Sequence, residues 1–203
     1  GSGKTTIINL LMRFYDINIG EILINGQNIK SIDKSALSKK FGIVFQNDTI
    51  FEDTIFENIT LGRKIDIEQV KNASLYAQAS TFIENIEDEY NARLDIRGAN
   101  LSGGQKQRIL IARALAGKPE ILILDDSSSA LDYKTDAMLR KEINNNFSET
   151  TTIIVAQRVS SVMSLDHILV LEDGEIIGYG SHDELINTCD VYKEISQSQM
   201  GGE

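Results

Sequence analysis

Along this 203-residue chain, short apolar runs alternate with longer segments whose apolar residues recur at helical spacing. The short runs, Glu21 to Ile24, Phe41 to Phe45, Ile121 to Leu124, Thr152 to Val155 and Ile168 to Leu171, are rich in β-branched and aromatic residues and predict strands. Strands separated by helices predict an α/β sheet with helices packed on it. Leu139, Ile143 and Phe147 recur every four residues, which places them on one helix face and predicts a buried stripe. Residues 66 to 90 are helical and acidic in pattern, with Val70, Ala73 and Ala77 aligned and no strand between them. They predict a helical insertion beside the sheet. Ser181 followed by Glu184 has the form of a capping box and predicts the start of a last helix. The closing Gly201-Gly202-Glu203 reads as a small flexible tail.

Size and charge narrow the picture. A chain of 203 residues holds one sizeable core, so residues 1–203 are expected to form a single domain with a subdomain. The longest apolar stretches, such as Ile121 to Leu124, fall far short of the roughly 18 to 20 residues that span a bilayer. No charged start followed by an apolar core and a cleavage site appears at the amino terminus, and the single cysteine, Cys189, has no second cysteine in these residues with which to form an internal disulfide. A reducing, cytosolic setting is the default expectation. The net charge of -10 repels a polyphosphate backbone, and no basic patch interrupts it, so no nucleic-acid partner is expected.

Three motifs carry chemistry. Gly1-Ser2-Gly3-Lys4-Thr5-Thr6 matches the second half of G-x-x-x-x-G-K-[ST]. Its glycines let backbone N–H groups turn inward around a phosphate, Lys4 neutralises the outer phosphates, and the Thr5 hydroxyl can sit on Mg²⁺. The first glycine and the strand that should feed the loop are absent, which predicts that the chain belongs to a longer one. Second, Ile121 to Asp125 is an apolar strand ending in an aspartate, where a carboxylate faces bound phosphates and can contact magnesium. Third, Leu101-Ser102-Gly103-Gly104-Gln105 precedes a helical run, with Ser102 placed to cap it and the glycines leaving the helix N-terminus open to an anion. A lone Gly-Lys-Thr could be an accidental loop, and a lone Ser-Gly-Gly a cap with flexible glycines. Neither reading explains why the motifs occur together and in this order.

Phosphate loop, LSGGQ, ILILDD and SALD, in that order, resemble the nucleotide-binding domain of ATP-binding cassette (ABC) proteins over essentially the whole chain. The resemblance implies a P-loop NTPase fold, a RecA-like mixed sheet flanked by helices, with a helical signature subdomain at about residues 66–116 and the amino-terminal strands missing. It implies ATP and Mg²⁺ as ligands. It also implies that two such domains stack head to tail, each ATP lying between the phosphate loop of one and the LSGGQ of the other. Gln46, in FGIVFQ, would touch magnesium and sense the membrane partner, and Ser129 to Asp132 would cross between subunits. The stretches FQNDTIFEDTIFENI, RGANLSGGQKQRILIARAL and LEDGEIIGYGSHDELI resemble multidrug and peptide exporters, which implies a transmembrane partner domain and a place at the cytoplasmic face of the membrane. One departure is Ile96, where exporters usually carry an acidic residue ahead of Arg97-Gly98.

Two further departures touch the catalytic step. In active relatives the residue after the magnesium aspartate is a glutamate that polarises the attacking water, whereas this chain has Asp126, shorter by one methylene. A general base must come within about 2.6 to 3.2 Å of the proton it takes, and a misplacement of about 1 Å can cost around a hundredfold in rate. Where relatives have a histidine after the strand TTIIV, this chain has Gln157, which can donate a hydrogen bond to a γ-phosphate but cannot become cationic. His167 and His182 lie elsewhere and read as structural or solvated. A weakened site of its own beside an intact LSGGQ predicts the degenerate half of a heterodimeric exporter. A homodimeric exporter ATPase with ordinary turnover, a soluble ABC ATPase and a module using ATP only as dimer glue stand as alternatives. The transported substrate and the adenine-stacking residue are not written in these residues.

Overall fold

The computed structural model describes residues 2–127 and 129–200; Gly1 of the phosphate loop and the 201–203 tail lie outside the described residues. The elements begin with α1 (Lys4–Leu11), β1 (Leu23–Ile24), β2 (Gln27–Asn28), α2 (Lys34–Lys39) and β3 (Phe41–Val44). Four helices follow, α3 (Ile55–Thr60), α4 (Ile67–Tyr76), α5 (Ser80–Ile83) and α6 (Gly103–Ala116). Then come β4 (Ile121–Asp125), α7 (Tyr133–Asn146), β5 (Thr151–Val155), β6 (Ile168–Glu172), β7 (Glu175–Gly180), α8 (His182–Thr188) and α9 (Asp190–Met200). All five expected strands are present, the first reduced to Leu23–Ile24. The chain divides into two compact units, Gly1–Lys34 with Ile154–Glu203, and Ser35–Ile153.

The second unit is built on a parallel pair. Phe41 lies opposite Ile121 and the register runs to Val44 opposite Leu124. Parallel strands covered on both faces need apolar residues throughout, and Val44, Leu122, Ile123 and Leu124 are all buried. The sheet order is β3-β4-β5, with Thr151 donating to the Glu120 carbonyl at 3.0 Å where β5 begins. Helix α6 buries every residue from Ile109 to Ala116 and packs against β3, α3 and α4. It approaches β3 so closely that a Cβ on Gly42 would run into the Ala114 carbonyl and lie 2.8 Å from Pro119 Cγ. Truncating Ile109, Ile111 or Leu115, each essentially inaccessible, would cost about 2 to 5 kcal/mol apiece through lost transfer energy and the cavity left behind.

The acidic segment after residue 66 is helical as expected. Asp66 opens α4 with a capping box to Gln69, and Val70, Ala73 and Ala77 are buried. The stripe on α7 is shorter than its periodicity suggested. Leu139 and Ile143 are buried, but the helix ends at Asn146 and Phe147 leaves it with φ -130°, turning edge-on to Tyr76 at 5.6 Å. The run Asn144-Asn145-Asn146 explains the early end, since asparagine side chains compete for backbone hydrogen bonds.

The first unit contains two antiparallel hairpins. Asn25-Gly26 joins β1 to β2 and Asp173-Gly174 joins β6 to β7, both residues of each turn having positive φ. Two-residue loops of this kind match the twist of the strands they connect. Val159, Ile168, Leu185, Cys189 and Tyr192 form the buried core of the region. Gly178 lets α8 lie on β7, because a Cβ there would come within 2.9 Å of Leu185 Cδ2 and 3.1 Å of Cys189 Sγ. Ser181 and Glu184 form the expected capping box, Ser181 N–H donating to Glu184 Oε2 at 2.8 Å. It opens the penultimate helix rather than the last. The extended backbone of Cys189 (φ -128°, ψ 100°) ends α8, and α9 starts one residue later. No helix among the described residues is long and apolar enough to cross a membrane.

Candidate functional site

In the first unit the phosphate loop leads into α1. Gly3 is the N-cap with φ 93° and ψ 0°, a conformation that favours glycine. No side chain caps the helix, and its first turn holds no acidic residue. The positive end of α1 is therefore left to whatever anion approaches it. Lys4 is exposed and donates from Nζ to Ser2 Oγ at 2.6 Å, while Thr5 and Thr6 are exposed beside it. An uncapped N-terminus, an exposed ammonium and a hydroxyl at the start of one helix fit the phosphates of a nucleotide and an accompanying magnesium ion. Among the described residues no group of three or more His, Cys, Asp or Glu could hold a metal.

Gln157 also belongs to the first unit. It is exposed, directly after β5, and its backbone carbonyl accepts a hydrogen bond from Gln199 Nε2 at 2.8 Å. His167 stacks on Tyr179 with centroids 5.3 Å apart, and His182 Nδ1 lies 2.8 Å from the Tyr192 hydroxyl.

The other site residues lie in the second unit. The parallel register ends with Val44 opposite Leu124, and two residues beyond each of these, past the strand ends, stand Gln46 and Asp126. There Gln46 Nε2 donates to Asp126 Oδ2 at 3.4 Å, a long hydrogen bond. Asp125 ends β4 and is buried. Asp126 leaves the strand with φ 51°, in the left-handed region that aspartate tolerates better than most residues. Its carbonyl accepts from Ser129 Oγ at 2.9 Å.

The LSGGQ motif forms the start of α6. Ser102 is the N-cap, its Oγ accepting from Gln105 N–H at 3.2 Å, and Gln105 Oε1 accepts from Ser102 N–H at 2.8 Å. Leu101 precedes the box, half-buried. Gly103 and Gly104 face Ala130, and a Cβ on Gly104 would sit 3.3 Å from the Ala130 carbonyl oxygen. Arg108 fixes the first turns, donating to the carbonyls of Gly104 at 3.2 Å and Gln78 at 2.8 Å and lying 4.7 Å over Phe82. After the Ala130 turn, Asp132 caps α7 by accepting from the Thr135 N–H and hydroxyl, which holds its carboxyl below the ordinary range.

Two participants escape sequence reasoning. Arg113, buried on α6, donates to Asn58 O at 2.7 Å, to Thr49 O at 3.0 Å and to Asp48 Oδ1 at 3.2 Å. It thereby ties the segment after Gln46 to the signature helix. Burial pushes its guanidinium pKa down, and Asp48 opposes the shift. A charge inside the apolar run ILIARALA was the available signal, because such residues are buried only when paired. Gln199 gave no signal of its own. Ile96, in contrast, presents an apolar side chain that is 66% exposed.

An α/β unit on parallel strands, a phosphate loop at a helix start and a strand-end aspartate define a P-loop NTPase fold. The description "ABC transporter" belongs to the family model that matches residues 1–129, and the chain is a member of that family, carrying its ATP-binding domain. It is 44% identical, over its full length, to a putative ABC transporter ATP-binding protein of Mycoplasma genitalium. It is 42% identical over 98% of its length to a putative multidrug export ATP-binding/permease protein of Staphylococcus aureus. A solved bacterial Atm1-family ABC exporter with ATP bound matches all of the chain at 38% identity and a TM-score of 0.93. The chain spans 35% of the length of each of these proteins.

Proposed function

We propose that the chain is the energy-coupling domain of an exporter and that its own site turns ATP over slowly. Lys4 neutralises the outer phosphates, and the N-terminal end of α1 receives them. Thr5, Gln46 and Asp125 are the residues that would hold Mg²⁺, which when bound neutralises charge across the β- and γ-phosphates. Gln157 donates to the γ-phosphate, and Asp126 is the group nearest in kind to a general base. Leu101, Ser102, Gly103, Gly104 and Gln105 serve the ATP held by a second such domain, stacked head to tail and of different sequence. The rest of the machine is a transmembrane domain, and the chain works at the cytoplasmic face of the membrane. Residues 1–203 act as one nucleotide-binding domain with a helical portion at about 66–116, and Ile96 with its neighbours offers an apolar contact to the transmembrane partner.

The observation that carries the proposal is the contrast within the second unit. The LSGGQ helix start is fully formed, whereas Asp126 is one methylene shorter than a glutamate, its carboxylate accepting only a long hydrogen bond from Gln46 at 3.4 Å. The test is turnover by the full-length protein, purified with and without an exporter partner. Slow hydrolysis alone and fast hydrolysis with the partner supports the reading, and fast hydrolysis by the homodimer defeats it.

A second reading, an ordinary homodimeric exporter ATPase, has one observation in its favour. The left-handed backbone at residue 126 gives a conformational reason for aspartate that has nothing to do with rate.

A further inference from the structure

β5 ends at Val155, and the chain then passes through Ala156, Gln157 and Arg158 before a 3₁₀ turn at Val159–Ser161. Val159 is buried in the core of the first unit, but Gln157 and Arg158 are exposed and belong to no helix or strand. Such a segment would be expected to move unless something outside it holds its backbone. The holding group comes from the last turn of α9. The Val159 N–H donates to Gln199 Oε1 at 2.7 Å, and Gln199 Nε2 donates to the Gln157 carbonyl at 2.8 Å.

The geometry is specific. Arg158, between the two bonded residues, is extended (φ -102°, ψ 127°). In an extended chain the C=O of one residue and the N–H of the residue two further on point to the same side, and in a parallel sheet one residue of the neighbouring strand answers both, with its own N–H and C=O. The Gln199 side-chain amide takes the place of that residue's donor and acceptor. It offers one donor and one acceptor in one plane, so it prolongs the strand pairing of the backbone beyond the end of β5. Glutamate at this position would keep the acceptor and, ionised, lose the donor; leucine would keep the bulk and lose both.

We propose that Gln199 is a positioning residue for ATP turnover: by pairing with the backbone on either side of Arg158 it fixes the segment that carries Gln157, and so fixes where the Gln157 side chain meets a γ-phosphate. The proposal rests on the reading of Gln157 given under Proposed function. Gln199 itself touches neither the nucleotide nor the reacting atoms in this scheme. It acts through the segment alone, and α9 becomes part of the catalytic apparatus although no motif marks it.

The experiment uses the full-length transporter with the partner's hydrolytic site inactivated, or the homodimer should that be the active form. Amide hydrogen exchange at Val159 and the kcat and KM for ATP are measured for the unmodified protein and for Gln199→Leu, Gln199→Glu, Gln157→Ala and the Gln157→Ala/Gln199→Leu pair. In Gln199→Leu, Val159 exchange is expected to accelerate. kcat should fall about three- to tenfold, the equivalent of one ordinary hydrogen bond, with KM changed less than twofold. Gln199→Glu should retain Val159 protection and show an intermediate kcat. The double variant should be no slower than Gln157→Ala, because both changes act on the same side chain. Unchanged Val159 exchange in Gln199→Leu overturns the proposal, as does faster exchange with unchanged kcat when Gln157→Ala does lower kcat. Should Gln157→Ala leave kcat unchanged, the role assigned to Gln157 fails and the positioning role falls with it. The Val159 measurement still distinguishes that failure from the absence of the amide pairing.

Discussion

The two helix starts that carry the anion-binding motifs are built differently. α1 begins at Gly3 with a left-handed N-cap, no side-chain cap and an exposed lysine at its first position. α6 begins at Ser102 with a reciprocal capping box, so the Gln105 N–H is already satisfied and the first turn holds two glycines. An uncapped end with its own cation can bind phosphate unaided. A capped end with neighbouring glycines leaves fewer backbone donors free. On the function proposed above, the phosphate loop is this chain's own binding element, and the LSGGQ turn serves a nucleotide that another chain brings.

The largest way to disturb the comparison is to loosen the frame of α6. Arg113→Met strands the carbonyls of Asn58 and Thr49 and the Asp48 carboxylate, and should cost about 3 kcal/mol, read as a lower midpoint in thermal or denaturant unfolding. Next comes Lys4→Met, which removes the charge at α1. ATP affinity should fall about ten- to a hundredfold, the value of a hydrogen bond to a charged group. Measured by calorimetric titration, a smaller loss would mean that the helix end does most of the binding. Gly104→Ala sharpens the contrast. Its Cβ meets the Ala130 carbonyl at 3.3 Å, so partner-stimulated turnover should drop severalfold while ATP binding by this chain's own loop is unchanged. Fluorescent-nucleotide binding and coupled ATPase measurements separate the two.

The smallest effect is electrostatic. Hydrogen bonds from Thr135 lower the Asp132 pKa below its usual 3.8. A depressed carboxyl pKa stabilises the fold above the unfolded-state value and loses that contribution as pH falls through the lower folded-state value. The α7 cap should therefore hold at pH 7 and pH 5 and weaken only below about pH 3.8. Comparing unfolding midpoints of Asp132→Asn and the parent across pH 3 to 7 checks the sign, since the gap between them should narrow at the acid end.

What could be read without the structure was local. Apolar runs announced β3, β4, β5 and β6, and the caps at Ser102 and Ser181 follow from residues three apart. The motifs were visible because phosphate binding is done by contiguous backbone. What stayed hidden depends on strand register or distant partners. The Gln46 contact with Asp126 follows from which residues pair between β3 and β4, a fact absent from either strand alone. Arg113 meets Asn58, 55 residues away, and Gln199 meets Gln157, 42 residues away. The positive φ of Asp126 was equally hidden, because nothing in ILILDDSSS distinguishes a residue chosen for reach from one chosen for its backbone.

That ambiguity can be settled by installing the glutamate and histidine that the family resemblance implies at these two positions. Turnover at this chain's own site, measured in the full-length transporter before and after the paired change Asp126→Glu and Gln157→His, should rise by about tenfold or more if carboxylate reach limits the rate. Unchanged turnover in a paired variant that still folds and binds ATP would contradict the account.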